Sequence, residues 1–224
     1  MTEFENEFFA RRDRRVLAAL RASSVGIAGA GGLGSNAAVS LARAGVGRLI
    51  IADFDTIEAS NLNRQQFFVD QVGRSKVEAL RENLLKVNPF SEYEIHTVCV
   101  TRENTAEIFG PADILIEAFD RAEAKQMLIE TWLAKFPERP IIAASGLSGF
   151  GANRTLRTRR MGNLYICGDE ASQPAPGVSP MAPRVGIVAN MQANLAVELL
   201  VKMKGRQRAG ARQGAARSGR PQAS

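Results

Sequence analysis

Apolar residues recur along this chain in two alternating rhythms. Short unbroken runs form one of them: Ser24-Val-Gly-Ile-Ala28, Arg48-Leu-Ile-Ile-Ala-Asp53, Asp113 to Ala118 and Pro140 to Ala144. Runs this short, bounded by glycine, proline or an acid, predict strands buried on both faces. Tyr93 to Val100 adds a further strand with partial alternation. The other rhythm has three- and four-residue steps. Val77, Leu80, Leu84 and Val87 predict a helix from about Gly73 to Val87, ended by Asn88-Pro89. Gly34 to Ala44 predicts a helix stopped by Gly45 and Gly47, and Arg121 to Phe136 and Val185 to Lys204 predict two more. At the N-terminus, Thr2 and Glu5 have capping-box spacing and predict a helix from about Glu3 to Leu20. Late in the chain, Arg154–Arg160 and Leu164–Cys167 flank Met-Gly-Asn, a hairpin signal, and a loop rich in Pro, Gly and Ser runs from Gly168 to Pro183.

Strands that alternate with helices imply an α/β fold. The expected form is a Rossmann-like, doubly wound, mostly parallel sheet with a C-terminal hairpin and helix. Three parts are expected: an N-terminal helical arm over 1–22, one α/β domain over 23–204, and a tail over 205–224. Ligands of such sheets bind beyond the carboxyl ends of the strands.

Charge changes the picture little once it is located. The net charge is +6. Five arginines and no acid lie between Gly205 and Ser224, so removing that segment leaves about +1. The basic character belongs to a tail of Gly, Ala, Arg, Gln and Ser that has almost nothing to bury and reads as disordered. Nucleic acid is therefore not the expected partner. One histidine, His96, and two cysteines, Cys99 and Cys167, exclude a Cys₄ or Cys₂His₂ zinc site within one chain. They also suit a reducing compartment. The acidic N-terminus is unlike a signal peptide, and no run approaches a membrane span, so a soluble cytoplasmic protein is expected.

Candidate chemistry begins at Gly29-Ala-Gly31-Gly32-Leu-Gly34, a G-x-G-x-x-G turn between a strand and a helix. Gly29 permits the tight turn, Gly31 and Gly32 let a phosphate approach backbone N–H groups, and Gly34 lets the helix pack close. The helix N-terminus then faces an anion. Asp53 ends the second strand, where a carboxylate can accept from ribose hydroxyls. To this point NAD and an adenine nucleotide fit equally well, as does a glycine turn with no ligand.

The segment Asp53-Phe-Asp55-Thr-Ile-Glu-Ala-Ser60-Asn61-Leu-Asn63-Arg64-Gln65, followed by Lys76, tips the balance. A triphosphate and its pyrophosphate leaving group need cations held close. Arg64 offers a bidentate fork, Lys76 a point charge, and Asn61 and Gln65 neutral hydrogen bonds. No G-x-x-x-x-G-K-[ST] loop is present. Asp120, after the strand Asp113–Phe119, reads either as a hard ligand for Mg²⁺ or as the N-cap of the next helix.

These residues closely resemble the ThiF/MoeB family of adenylating enzymes, the relatives of ubiquitin-activating enzymes. Residues 10 to 202 carry the likeness, and Asp53-x-Asp55…Ser60-Asn61-Leu-x-Arg64-Gln65 with Val72-Gly73-x-x-Lys76 is its specific part. The resemblance implies a homodimer that uses ATP and Mg²⁺. Gly29, Gly31, Gly32, Gly34, Asp53 and Asp55 would line the nucleotide, and Asn61, Arg64, Gln65 and Lys76 would hold its phosphates. Asp120 would bind Mg²⁺. Arg11 or Arg12 would reach the partner subunit's site. Tyr165-Ile-Cys-Gly-Asp169 and Met181-Ala-Pro-Arg-Val185 are similar to the short ThiF-like subgroup. That implies adenylation of a small sulfur-carrier protein ending in Gly-Gly, in thiamine biosynthesis. Molybdenum-cofactor and tRNA-modifying relatives share the same nucleotide site. Arg121 stands where many relatives have Asn, and Met191 where the subgroup has His. Cys167 reads as a buried small residue or as a covalent acceptor of the activated carrier. An NAD(P)-dependent oxidoreductase is the alternative, but it leaves Arg64 and Lys76 without a role. A non-catalytic nucleotide-binding scaffold is the other.

Overall fold

The computed structural model describes the backbone of residues 2–218 and side chains through Gln207. Seven strands form one sheet: β1 (Ser24–Ala28), β2 (Arg48–Ala52), β3 (Glu92–His96), β4 (Ile114–Glu117), β5 (Ile141–Ala144), β6 (Arg157–Met161) and β7 (Leu164–Gly168). Their spatial order is β3-β2-β1-β4-β5-β7-β6. Every neighbouring pair is parallel except β6 with β7, the expected hairpin, which adds its second strand alongside β5. The chain runs outward from β1 to β3 and then crosses back to β4, so the topological switch lies between β1 and β4. That is where this fold class opens a ligand crevice.

The helices are α1 (Glu3–Phe9), α2 (Arg14–Arg21), α3 (Gly32–Ala44), α4 (Lys76–Val87), α5 (Thr105–Phe109), α6 (Ala122–Lys135) and α7 (Ala182–Ser218). One face of the sheet packs α2, α3, α4 and α7 around Ile27, Leu41, Leu49, Ile51, Leu80 and Leu200. The other packs α5 and α6 around Ile50, Phe109, Leu115 and Trp132. Trp132 is fully buried, and its indole N–H donates to Arg139 O at 3.1 Å, so its role is in the core.

Several boundaries differ from expectation. The single helix over Glu3–Leu20 is two: Asp13 caps α2 by accepting the Val16 N–H at 2.8 Å, and its carboxylate competes with a continuous helix there. The helix expected from Gly73 begins at Lys76, because Gly73 sits at φ +87° in the left-handed region. The third strand ends at His96 rather than Val100, matching the five-residue length of β2, the strand it pairs with. α5, a five-residue helix, is too short to show a periodicity. α7 starts at Ala182, three residues early, with Pro183 in its first turn where proline is tolerated.

The tail expected to be disordered over 205–224 continues α7 as far as Ser218. Ala, Arg and Gln are strong helix formers, and no proline intervenes before Pro221. Residues 219–224 of that tail lie outside the described residues. α7 is also long and apolar enough over Ala182–Gln207 to cross a membrane by length and composition. Its Val188, Ala189, Ala193, Ala196 and Leu200 are buried against the sheet and α3, so it is the core helix of this face.

Candidate active site

The glycine turn leaves β1 and enters α3 at the switch point. Gly29 has φ +100°, and its N–H donates to Ala52 O at 2.8 Å. A Cβ on Gly34 would lie 1.8 Å from Gly29 O, so the helix meets the strand at a distance only glycine permits. On the far side, a Cβ on Gly29 would lie 2.8 Å from Ala118 O, which makes the turn after β4 the wall of the crevice.

Asp53 follows β2 and joins the turn to the next loop. Its Oδ2 accepts the Ala30 N–H at 2.6 Å, and its Oδ1 accepts the Asp55 N–H at 2.8 Å. Burial pushes its pKa above the usual aspartate value, against the pull of those two N–H groups and of Lys76. Each oxygen keeps a lone pair, so the carboxylate can still accept from two ribose hydroxyls.

The loop 59–66 brings Arg64 and Gln65 onto the glycines. A Cβ on Gly32 would stand 3.5 Å from Arg64 Cγ, and one on Gly31 would stand 3.7 Å from Gln65 Nε2. The loop is stitched to α3: Asn36 Nδ2 donates to Arg64 O at 3.0 Å, and Ser35 Oγ accepts the Gln66 N–H at 3.1 Å. The Arg64 guanidinium donates to Asn63 Oδ1 at 2.9 Å and has no carboxylate partner among the described residues. Gln65 is buried, and its Oε1 has no hydrogen-bond partner. A buried acceptor without a donor is costly, and a ligand donor seated on the turn would relieve it.

Lys76, the first residue of α4, is buried, and its Nζ donates to Asp55 Oδ2 at 2.6 Å. It is thus paired with Asp55 and tied to Asp53, rather than standing as a free charge. Asn61 is partly claimed by its own turn: Oδ1 accepts the Glu58 N–H at 3.1 Å, and Nδ2 donates to Ser60 Oγ at 3.5 Å.

Asp120 is exposed and has no hydrogen bond or ion pair among the described residues. The N-cap of α6 is Arg121, not Asp120, so capping does not occupy this carboxylate. No group of three or more His, Cys, Asp or Glu among the described residues could hold a metal alone. One free carboxylate fits Mg²⁺ that keeps several waters and rides on nucleotide phosphates.

Cys167 is fully buried, and burial pushes its thiol pKa up, so it is the buried small residue of the two expected alternatives. The His96 ring lies 2.7 Å from Glu94, and its backbone oxygen accepts the Asp53 N–H at 3.2 Å. Sequence reasoning missed two buried pairs. Arg184 of α7 donates to Asp169 Oδ2 at 2.6 Å and to Gly151 O at 2.5 Å, tying the loop after β7 to the loop between β5 and β6. Lys125 reaches both oxygens of Glu117 at 3.0 Å. The one charge signal in the sequence was Glu117, an acid inside the apolar run from Asp113 to Ala118.

Residues 6–216 match the ThiF family. The chain is 33% identical over 195 residues to the adenylyltransferase and sulfurtransferase uba4 of Emericella nidulans, covering 81% of this chain and 40% of that protein. It is 28% identical over 221 residues to the adenylyltransferase and sulfurtransferase MOCS3 of Anopheles gambiae, covering 92% and 49%. The chain therefore spans less than half the length of these curated relatives. Among solved structures, E. coli tRNA N6-threonylcarbamoyladenosine dehydratase, TcdA, superposes with a TM-score of 0.80 at 18% identity over 90% of this chain and 95% of that one. E. coli MccB with ATP gives 0.65 at 23% identity over 84% and 58%. These likenesses show the shared fold, and the matched family shows the lineage: this chain belongs to the ThiF family.

Proposed function

We propose that the chain adenylates the C-terminal glycine carboxylate of a small ubiquitin-like sulfur-carrier protein at the expense of ATP. One observation carries the reading. Arg64, without a carboxylate partner, and Gln65, with a buried unpartnered oxygen, both lie against the glycines of a turn that Asp53 braces. The curated relatives are adenylyltransferases by name, which supports the same chemistry.

In the reaction, a carboxylate oxygen of the carrier attacks the α-phosphorus of ATP. The bond from that phosphorus to the oxygen bridging the β-phosphorus breaks. Acyl-adenylate and pyrophosphate leave with the charges balanced. The protein's part is alignment and charge neutralisation. Asp53 fixes the ribose, the turn amides and Arg64 take the phosphates, and Lys76 exchanges part of its contact with Asp55 for the leaving group. Asp120 would hold Mg²⁺, whose contribution is to neutralise the phosphates. A homodimer in the cytoplasm acting in thiamine biosynthesis is the form we propose.

A second reading comes from TcdA, which this chain matches along nearly its whole length: activation of a tRNA base modification instead of a carrier. The test is Mg·ATP-dependent pyrophosphate exchange with a Gly-Gly-ended thiamine carrier, a molybdopterin carrier and a modified tRNA in separate arms. Exchange stimulated by the thiamine carrier supports the proposal, and stimulation by tRNA alone replaces it. Stabilisation by NADH but not ATP would remove both.

A further inference from the structure

The last residue of β4 is a fully buried glutamate, Glu117. Both of its carboxylate oxygens accept from Lys125 Nζ at 3.0 Å, and Oε1 also accepts the Phe119 N–H at 2.7 Å. Lys125 belongs to α6 and donates in addition to Ala144 O at 3.2 Å, at the end of β5. From the other face of the sheet, Gln192 of α7 donates to the backbone oxygens of Glu117 and Ile142, each at 3.0 Å. The ends of β4 and β5 are therefore clamped from both sides. The clamp sits directly beneath the turn Ala118-Phe119-Asp120.

That turn does two things. It carries Asp120, and it forms the wall against which Gly29 sits, with Ala118 O 2.8 Å and Phe119 Cδ1 3.3 Å from a Cβ position on Gly29. Stability does not account for an ion pair here. Desolvating two charges costs several kcal/mol, and an apolar pair of like volume is commonly as stable or more so. What an apolar pair would not supply is the anionic acceptor for the Phe119 N–H, in the peptide group that joins Ala118 to Phe119, one residue before Asp120.

We propose that Glu117, held by Lys125, is a positioning residue that fixes the Ala118–Asp120 turn so that the Asp120 carboxylate meets the divalent cation carried by the nucleotide. The proposal rests on the nucleotide reading above but not on which substrate is adenylated. Outer partners of metal ligands change metal affinity by about 10- to 100-fold when removed.

The experiment measures Mn²⁺ binding to the ATP-loaded full chain by electron paramagnetic resonance, with ATP affinity in EDTA measured alongside. Glu117→Gln keeps the shape and loses the charge. Its Mn²⁺ affinity is expected to fall about tenfold, while metal-free ATP affinity stays within about twofold. Because Glu117→Gln leaves the half-buried Lys125 without a counter-charge and can fail to fold, the double variant Glu117→Met/Lys125→Met is measured too. An apolar pair is expected to fold with wild-type stability and show the same loss of Mn²⁺ affinity. Wild-type Mn²⁺ affinity in either folded variant overturns the proposal, as does a wild-type protein that binds no Mn²⁺ with ATP. Intact Mn²⁺ binding without carrier-dependent exchange sinks the carrier reading alone.

Discussion

In the proposed reaction Arg64 and Lys76 would meet a nucleotide from different starting points. Arg64 is bonded only to neutral oxygens, so a phosphate gains its full charge without breaking an ion pair. Lys76 must share its ammonium with Asp55. Arg64→Ala should therefore lower pyrophosphate exchange more than it lowers folding. The expected loss is about 100-fold in turnover, near 3 kcal/mol of transition-state stabilisation, with an unchanged melting temperature. Equal losses of stability and turnover would make Arg64 a structural residue. Asp53 gives a pH signature. Burial holds its pKa above the ordinary 3.8, and the proposed ribose contact needs the ionised form. ATP affinity should be complete at neutral pH and should decline on acidification sooner than an exposed aspartate would dictate. Calorimetric titrations of wild type and Asp53→Asn check this, because the variant should bind weakly and lose the acid slope. Most of these residues were legible in the sequence, since a glycine turn, an acid after the next strand and two cations form a local pattern. Glu117 and Lys125 were not, because their pairing depends on a strand and a helix meeting through space. The pairing of Lys76 with Asp55 was hidden for the same reason.

At the scale of elements, apolar runs located β1, β2, β4 and β5 to within about one residue at each end, because buried parallel strands advertise themselves by composition, while the polar, exposed β6 and its partner β7 were found by the hairpin signal, with β6 begun three residues early. The third strand was overextended by four residues at its end, since an edge strand stops where its partner stops, which the sequence does not show. The long N-terminal helix was misjudged because Asp13, which falls inside the expected span, acts as a cap. The loop before α7 looked unstructured by composition, yet Asp169 and Arg184 anchor it. Asp169 shows the balance. Burial pushes its carboxyl up, but N–H groups of Ser172 and Ala171, the Ser172 hydroxyl and Arg184 together bring it from 3.8 down to about 2. A depressed carboxyl contributes stability that is complete above its unfolded value and is lost as pH falls through its folded one. Wild-type protein should thus lose this contribution between about pH 4 and pH 2. Asp169→Asn should be less stable by about 3 kcal/mol at neutral pH, because Arg184 stays buried without its partner. It should also be less sensitive to acid over that interval. Chemical denaturation at several pH values measures both, and parallel curves for the two proteins would count against the clamp.

For the whole molecule, the question is how the N-terminal arm relates to the site. Arg12 is engaged within its own chain: it donates to Arg43 O at 2.7 Å and its guanidinium lies 4.9 Å from the centre of the Phe9 ring. Arg11 is exposed and has no hydrogen bond or ion pair among the described residues. Of the two arginines the resemblance offers for action across a dimer, only Arg11 is uncommitted. A dimer that completes each site with the partner's Arg11 makes a prediction that no single-chain arrangement shares. Arg11→Ala and Arg64→Ala should each be nearly inactive alone. Mixed in equal amounts and allowed to exchange subunits, they form hybrid dimers. Each hybrid has one site with both arginines intact and one with neither. Random pairing then restores about a quarter of the wild-type sites, because half the dimers are hybrids and half their sites are whole. Recovery of pyrophosphate exchange toward that level, rising as subunits exchange, assigns Arg11 to the partner's site. If activity in the mixture never exceeds the average of the two variants, the arm serves its own chain and the dimeric site is wrong.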